Sequence, residues 1–436
     1  MNLTTRLGDR SEPVRVGVIG AGIFGSQLVH AVEATRGMET AALADVETAK
    51  ARTTLLRAGV DEADLAAPSG PADVAEVVAA GARAVVGDGT ALVDADGAVD
   101  VVVEATGDPD AAARHCFRAL VSGTDVVNAT AETDAVCGPL LAALADRSGA
   151  TYSLAYGDQP ALMAGLREWA GAAGLKVVAV GKSSSEPERY GTPEDAVERY
   201  DVPSFGEGID PDPRMYNSFT DGTKAAVETV AAANALGFDV DEGGVNKPIA
   251  GRSELPATFR PASEGGVLSR APVVDAVTPT DGEFSVFVVT RAASGQLRKY
   301  YRQRRNVTAT EDGAYQAFVR PHHFAPETTV SVASVALDGR PTGAPRAHRA
   351  EVVAAAKRDL TPGEEIDGPG GYTVYGVSVD ADAAAEANRV PFELLAGAEV
   401  MRPIDRDEFV TADDVAVPES FLGHLRAVQE GAAGPA

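Results

Sequence analysis

Short apolar segments alternate with amphipathic ones along the first third of the chain. A helical pattern at Phe24–Thr35 and Gly138–Ser148 predicts helices. Strands are predicted at Val14–Ile19, Thr40–Ala44, Ala84–Val86, Val99–Glu104, Asp125–Asn128 and Thr151–Leu154. Apolar, β-branched strands separated by helices are typical of a parallel sheet that is covered on both faces. We therefore predict a doubly wound α/β domain at residues 13–181, ending in a helix at Ala161–Ala173 and a strand at Lys176–Gly181.

The pattern changes after Lys182. A polar, proline-rich stretch comes first, and a strong helix pattern follows at Gly222–Leu236. Extended segments come next, with strand patterns at Phe284–Thr290 and Thr329–Leu337. These mixed signals predict an α+β substrate domain at residues 182–340, which we also expect to carry the contacts of a homo-oligomer.

The last part of the chain predicts a small β-rich module at residues 348–420. Its strand and turn patterns lie at Ala350–Ala356, Gly371–Tyr375 and Thr411–Val417. The tail Gly431–Ala436 is rich in Gly and Ala, and we expect it to be disordered.

A glycine-rich turn follows the first predicted strand and opens the first predicted helix. Gly20, Gly22 and Gly25 match the pattern G-x-G-x-x-G, with Ile23 and Phe24 between them. In this context the first glycine allows a tight turn, the second lets the backbone approach a pyrophosphate, and the third allows close helix–strand packing. The alternative is a purely structural turn. The context predicts a Rossmann-type dinucleotide-binding domain, with these five residues at the cofactor.

Two further positions bear on the cofactor. Asp45 ends the second strand, where a carboxylate can bind both ribose hydroxyls of NAD and repel the 2′-phosphate of NADP. Lys50 and Arg52 lie downstream and could contact the 2′-phosphate, so NADP is the alternative cofactor. Thr106 and Gly107 close another strand at the edge where the nicotinamide half is expected, although an ordinary turn would look the same.

Composition narrows the class of protein. The formal net charge is -26, and the 38 basic residues include only 7 Lys. An acidic surface disfavours nucleic acid as a ligand. An acidic surface is also typical of proteins from a high-salt cytoplasm. The alternative explanation is the amino-acid composition of a GC-rich genome. We expect a cytoplasmic protein without membrane contacts, because Met1–Arg10 has no signal-peptide pattern and no apolar run could span a bilayer.

Besides the glycine turn, five stretches have a recognisable pattern, namely Asn128–Glu132, Tyr152–Pro160, Val180–Lys182, Asn217–Lys224 and Arg320–His323. Together they resemble one family, the predicted homoserine dehydrogenases with a C-terminal SAF domain, which includes reductoisomerase-like enzymes acting on 1-deoxy-D-xylulose 5-phosphate. Residues 348–420 resemble the SAF module itself, through Lys357–Glu364 and Thr411–Val415.

The resemblance implies a reductase of a phosphorylated ketose, coupled to rearrangement of its carbon skeleton. It favours NADP, because the reductoisomerase-like relatives carry basic residues at the position of Asp45. Homoserine dehydrogenases carry an Asp-Ala-Ala-x-Lys type pattern where this chain has Asp221-Gly-Thr-Lys224. The metal is unknown, and recruitment of Mg or Mn through the substrate stays open.

Candidate catalytic residues follow from charge and position. Lys182 leaves the last strand of the predicted nucleotide domain and could polarise a carbonyl group or bind phosphate; a solvated surface lysine is the alternative. Lys224 and Glu228 are four apart on one helix, suited to an acid/base pair or to an exposed salt bridge. Asp221 could cap that helix and belongs to the catalytic set.

A second group is assigned to the substrate. Arg320 suits a phosphate, and His323 is the preferred proton-transfer residue of the pair His322–His323. Glu132 and Asn234 are further candidates for substrate hydroxyls, although Asn234 could instead satisfy buried backbone.

Three functions are compatible with these residues. The favoured one is reduction or reductoisomerisation of a pentulose phosphate, such as ribulose 5-phosphate, to a branched polyol phosphate. The enzyme alternative is a homoserine dehydrogenase-like activity of amino-acid metabolism. The non-enzyme alternative is a nucleotide-sensing protein that presents the SAF module to a partner.

Overall fold

A computed structural model describes residues 2–185, 188–200, 212–282, 284–304, 306–322 and 325–433. The first helices are α1 (Leu3–Gly8), α2 (Ile23–Ala34), α3 (Thr48–Arg57), α4 (Pro71–Ala79), α5 (Gly89–Val93), α6 (Pro109–Val121), α7 (Ala131–Ser148) and α8 (Gln159–Ala172). The strands among them are β1 (Val14–Ile19), β2 (Met38–Ala44), β3 (Leu65–Ala66), β4 (Arg83–Val86), β5 (Val101–Glu104), β6 (Asp125–Asn128) and β7 (Tyr152–Leu154).

The remaining strands are β8 (Lys176–Ser183), β9 (Asp239–Val240), β10 (Ile249–Ala250), β11 (Val273–Pro279), β12 (Ser285–Arg291), β13 (Thr308–Ala309), β14 (Tyr315–Pro321), β15 (Ala350–Ala356), β16 (Val374–Asp380), β17 (Glu399–Val400) and β18 (Val415–Ala416). The remaining helices are α9 (Pro193–Tyr200), α10 (Pro213–Asp221), α11 (Thr223–Leu236), α12 (Leu255–Thr258), α13 (Gly295–Arg302), α14 (Thr328–Asp338), α15 (Ala381–Glu386) and α16 (Phe421–Ala433). None of the helices in the described ranges is long and apolar enough to cross a membrane.

The chain divides into two compact units. Unit 1 comprises Met1–Ala161, His323–Ala344 and Phe421–Ala436. Unit 2 comprises Leu162–His322 and Pro345–Ser420.

Unit 1 is built on a seven-stranded sheet in the order β3-β4-β2-β1-β5-β6-β7. All its pairings are parallel, and its central strands are buried along nearly their whole length. Because the chain leaves β1 towards β2 on one side and returns to β5 on the other, the carboxyl ends of β1 and β5 form a topological switch point. The predicted doubly wound, Rossmann-type sheet is therefore confirmed.

Two helices of unit 1 differ from the sequence-based expectations. Residues 329–337 form most of helix α14, so the predicted strand is wrong. The buried residues Thr328, Ser331, Val332 and Val335 follow helical spacing, and Val332 and Val335 pack in the unit 1 core. Helix α16 continues to Ala433, so residues 431–433 are helical rather than disordered, and residues 434–436 lie outside the described ranges.

Unit 2 is built on a mixed sheet with the path β10-β11-β8-β12-β14-β13, and β9 pairs with β11. Strand β8 lies at its centre, parallel to β11 and antiparallel to β12. The sequence analysis ended the nucleotide-binding domain at this strand, which instead belongs to the second sheet because both its neighbours come from later in the chain. The 345–420 segment adds two antiparallel pairs, β15–β16 and β17–β18, and α11 packs against β15 and β16.

Candidate active site

The glycine turn of unit 1 has the shape that a dinucleotide requires. Gly20 has a φ of +101°, and a Cβ atom there would lie 2.5 Å from the carbonyl oxygen of Ala105. A Cβ atom on Gly25 would lie 1.8 Å from the carbonyl oxygen of Gly20, so only glycine fits at either position. A Cβ atom on Gly22 would meet nothing within 4 Å. The open side of Gly22, at the start of α2, therefore offers room for a pyrophosphate at a helix N-terminus.

Asp45 fixes this turn to the end of β2. Its Oδ2 accepts a hydrogen bond of 2.7 Å from the backbone N–H of Ala21, and its Oδ1 accepts one of 2.8 Å from that of Glu47. The next residue, Val46, is 91% exposed. The carboxylate thus lies beside the glycine turn, as the sequence predicts for a residue that contacts the ribose.

A buried carboxylate, Glu104, organises the turn after β5. The hydroxyl of Thr130 donates to its Oε2 at 2.5 Å, and the N–H of Thr106 donates to its Oε1 at 3.2 Å. The N–H of Gly107 donates to the hydroxyl of Thr130 at 3.2 Å, and the ring of His115 lies 3.5 Å from Glu104. Thr106 and Gly107 are therefore held at the carboxyl edge of the sheet by a residue that the sequence analysis did not single out.

The segment after β6 belongs to a second buried network. The hydroxyl of Tyr152 donates to Asp134 at 2.5 Å, and the amide of Asn128 donates to Asp134 at 3.0 Å. Burial raises the pKa of Asp134 well above its usual range. Glu132, predicted to contact substrate, lies half-buried in the first turn of α7 in unit 1.

In unit 2, Lys182 and Glu228 form a buried ion pair. Lys182 lies at the end of β8 and Glu228 lies in the middle of α11, and the side chains are only 6% and 2% exposed. The ammonium group donates directly to the Oε2 atom of the carboxylate. Lys182 is therefore not a solvated surface lysine. Glu228 is buried as well, so it does not take part in the exposed salt bridge that was the alternative for this helix.

A second buried pair lies next to α11. Asp221 ends α10, and its Oδ2 lies 2.9 Å from the ammonium group of Lys357 at the end of β15. Lys357 also donates to the carbonyl oxygens of Gly191 at 2.9 Å and Gly371 at 2.6 Å, while Asp221 accepts from the N–H of Thr223 at 2.9 Å. Asp221 was predicted as catalytic, and the structure shows it fixing the start of α11.

Lys247 is a third lysine of this region, and the sequence analysis did not single it out. Burial lowers its pKa to about 8, as do the charges of Lys182 and Arg189, whereas Asp221 acts in the opposite direction. The electrostatic coupling joins Lys247 to both ion pairs. Together, Lys182, Glu228, Lys357, Asp221 and Lys247 are called the lysine cluster below.

The other predicted substrate residues are more scattered. Asn234 is wholly buried, and its amide oxygen accepts from the N–H groups of Arg349 at 2.7 Å and Ala350 at 3.0 Å. Asn234 therefore has the alternative role, in which its side chain forms hydrogen bonds with buried backbone groups. Arg320 is half-buried near the end of β14, and His323 lies outside the described residues.

Within the described ranges, no three His, Cys, Asp or Glu side chains are grouped so that they could hold a metal ion.

The sequence comparisons point to one class of enzyme. Residues 157–326 match the model of the family described as "Oxidoreductase DRL, catalytic domain". This segment contains Lys182, Asp221, Glu228 and Lys247. No curated protein matches the chain.

Solved structures with similar folds are distant in sequence. A probable dehydrogenase from Thermotoga maritima is 14% identical, with a TM-score of 0.41 over 75% of this chain and 90% of that one. The 1-deoxy-D-xylulose 5-phosphate reductoisomerase from Zymomonas mobilis, in complex with NADPH, is 15% identical, with a TM-score of 0.43 over 74% and 70%. A 3-ketoreductase from Actinomadura kijaniata, in complex with NADP, is 18% identical, with a TM-score of 0.37 over 76% and 91%. These likenesses are too weak to support an argument about substrate.

The nucleotide-binding sheet and the matched catalytic segment agree. The chain is an NAD(P)-dependent oxidoreductase.

Proposed function

We propose that this chain reduces a phosphorylated ketose with NAD(P)H and couples the reduction to rearrangement of the carbon skeleton. The product is a branched polyol phosphate, and a pentulose phosphate such as ribulose 5-phosphate is the substrate. The observation that carries the proposal is the lysine cluster in the interior of unit 2, where Lys182 and Lys357 each contact a carboxylate and the ammonium group of Lys247 is buried without a hydrogen-bond partner among the described residues.

The charge of the cluster suits a sugar phosphate. Lys182 and Lys357 each lie against a carboxylate, whereas the buried ammonium group of Lys247 has no hydrogen-bond partner among the described residues. An unpaired charge in a protein interior is strongly unfavourable. An oxygen of the substrate phosphate would supply the partner that Lys247 lacks.

The pair of Lys182 and Glu228 suits the proton transfers of the reaction. Rearrangement of a ketose needs a proton removed from a hydroxyl group and positive charge at a carbonyl oxygen. The Glu228 carboxylate accepts the proton from the hydroxyl group, and the Lys182 ammonium provides positive charge at the carbonyl oxygen. The bound nicotinamide supplies the hydride. A buried ion pair often stabilises a protein no more than apolar residues of the same size do. Stability alone therefore does not explain why the chain has an ion pair at this place.

For the cofactor we propose NAD. Asp45 lies beside the glycine turn with its carboxylate held by two backbone N–H groups, where it would repel a 2′-phosphate. The family resemblance points to NADP, and the preference of the enzyme decides between them. Assignment of residues 348–420 as an SAF-like module and assembly into a homo-oligomer stay proposals.

A parallel turnover assay tests this function. Ribulose 5-phosphate, 1-deoxy-D-xylulose 5-phosphate and aspartate semialdehyde are each supplied with NADH or NADPH, with and without Mg or Mn, and the absorbance of the reduced nucleotide is followed. We expect consumption with a ketose phosphate, faster with NADH, and none with unphosphorylated ribulose as the matched control. Consumption with the semialdehyde alone would assign the enzyme to homoserine metabolism and contradict the proposal.

A further inference from the structure

The ammonium group of Lys247 is buried and makes no hydrogen bond with any described residue. Lys182 and Lys357, by contrast, each contact a carboxylate. A buried ammonium without a partner is unfavourable, and proteins normally pair such a group or expose it. An ammonium group in this state is expected where a ligand completes the site.

The backbone at Lys247 is held in an unusual conformation. Its φ is +47°, in the left-handed region that residues other than Gly, Asn and Asp rarely adopt. The following residue is Pro248, and a proline normally drives the residue before it towards extended backbone. Strained backbone of this kind is concentrated at binding sites, where the surrounding structure maintains it.

Asp275 and Asn246 maintain this conformation. Asp275 is wholly buried in β11, and its Oδ1 accepts a hydrogen bond of 3.2 Å from the N–H of Lys247. The amide of Asn246 donates to Asp275 at 2.8 Å and to Asp241 at 2.7 Å. The turn is thus attached to β11, whose residue Ala276 pairs in register with Lys182 on β8. The two lysines are therefore positioned by adjacent strands of one sheet.

The charges around Lys247 define what it can bind. Lys182 and Arg189 repel its ammonium form, and the attraction of Asp221 only partly offsets them. The carboxylates of Glu228, Asp221 and Asp275 lie in the same part of unit 2, but none of them forms a hydrogen bond with the ammonium group of Lys247. A tetrahedral dianion has enough oxygens and enough charge to contact several ammonium groups at once.

We propose that Lys247 forms a subsite for the phosphate group of the substrate, and that occupation of this subsite is linked to uptake of a proton by Lys247. The proposal deepens the function proposed above and rests on it for the identity of the ligand. The anion site itself rests on the burial of the Lys247 ammonium group, on the backbone that holds it and on the charges near it in unit 2.

The linkage has a defined direction. With a pKa of about 8 in the free protein, Lys247 loses its charge as the pH rises above that value. A bound dianion stabilises the ammonium form and raises this pKa. The affinity for the dianion is therefore constant below about pH 8. Above that pH it falls by up to about tenfold per pH unit, until the pH reaches the pKa of Lys247 in the complex. Asp275, whose pKa burial raises to about 6, has finished titrating below this window.

Sulfate is the probe, because it keeps two negative charges across the pH range used. Isothermal titration calorimetry is carried out between about pH 7 and about pH 9.5, at constant ionic strength, in two buffers of different ionisation enthalpy. The wild type is expected to bind sulfate with proton uptake near pH 9. Lys247→Met is expected to bind roughly ten- to a hundredfold more weakly and without uptake, the loss typical of one charge-assisted hydrogen bond. Lys247→Arg keeps the charge, and it should bind sulfate without proton uptake.

Lys176→Met is the matched control, since Lys176 is an exposed lysine at the opposite end of β8, and it should behave as the wild type does. Equal binding by the wild type and Lys247→Met, or wild-type binding without proton uptake, would overturn the proposal. Tighter binding of malonate than of sulfate would assign the subsite to a carboxylate and overturn its assignment to phosphate. If the protein binds sulfate with proton uptake but turns over no ketose phosphate, the anion subsite is supported and only the proposed reaction is contradicted.

Discussion

Lysine is scarce in this chain, yet three of its 7 lysines place their ammonium groups in the interior of unit 2. Burying this strongly hydrated group is unfavourable, so each instance needs a compensating contact or a ligand. Lys182 and Lys357 have carboxylate partners, whereas Lys247 lacks a hydrogen-bonding partner among the described residues. The proposals above therefore assign catalysis and phosphate binding to these groups.

Substitution of the Lys182–Glu228 pair separates a catalytic role from a structural one. Lys182→Met leaves Glu228 buried without its partner and should lower the free energy of unfolding by about 3–5 kcal/mol, with loss of turnover. The double variant Lys182→Met/Glu228→Leu should recover most of that stability, because two apolar residues can replace a buried ion pair. Its turnover should stay at the level of the single variant. Urea unfolding and a ketose phosphate assay measure the two effects, and a double variant with wild-type turnover would make the pair purely structural.

The sequence identified only part of the cluster. Lys182 is predicted from its position at the end of a strand, whereas Lys247 and Lys357 lie in segments whose pattern does not mark them as site residues. The contact of Glu228 with Lys182 could not be predicted, because the two residues lie 46 positions apart on a helix and a strand. The role of Asp275 could not be predicted, since it depends on a contact with a turn that lies 28 residues earlier.

At the scale of elements, the β1–turn–α2 segment follows its sequence closely. Val14–Ile19 is a strand as predicted, because an apolar run bounded by glycine leaves few alternatives. The failure at α14 has an equally local cause. Val330 and Val332 alternate with smaller residues as in a strand, but the buried positions of the segment have helical spacing. The segment is helical because this face packs in the unit 1 core. A local sequence pattern does not show such packing.

Two glycines of the turn provide a matched pair of substitutions. Gly25→Ala places a methyl group 1.8 Å from the carbonyl oxygen of Gly20, so it should lower the melting temperature and abolish nucleotide binding. Gly22→Ala adds a methyl group to open space and should leave the melting temperature unchanged. It should still weaken the binding of NADH, because the methyl group occupies the side on which the pyrophosphate approaches. Thermal unfolding and NADH fluorescence titration distinguish the two. Wild-type affinity in Gly22→Ala would place the nucleotide elsewhere.

At the scale of the whole molecule, the first sheet was predictable and the second was not. The parallel sheet of unit 1 is assembled from strands that follow one another closely along the chain. The sheet of unit 2 joins β8 to β11, β12 and β14 across segments without strong periodicity, so the sequence placed β8 in the wrong sheet. The net charge of -26 still predicts a protein adapted to high salt, and it concerns the surface rather than the fold.

Unit 1 contains the glycine turn, and unit 2 contains the lysine cluster. The function proposed above assigns the nucleotide to the first and the ketose phosphate to the second. The central claim is that hydride from a nicotinamide nucleotide reaches a rearranged ketose phosphate. Transfer of deuterium is the most direct measurement. The enzyme is incubated with ribulose 5-phosphate and NADH or NADPH carrying deuterium at the transferable position, and the product is analysed by mass spectrometry and NMR. We predict a branched polyol phosphate with one deuterium on the newly reduced carbon, and no such product with Lys182→Met/Glu228→Leu. Absence of deuterium from every phosphorylated product, with the nucleotide unchanged, would contradict the account.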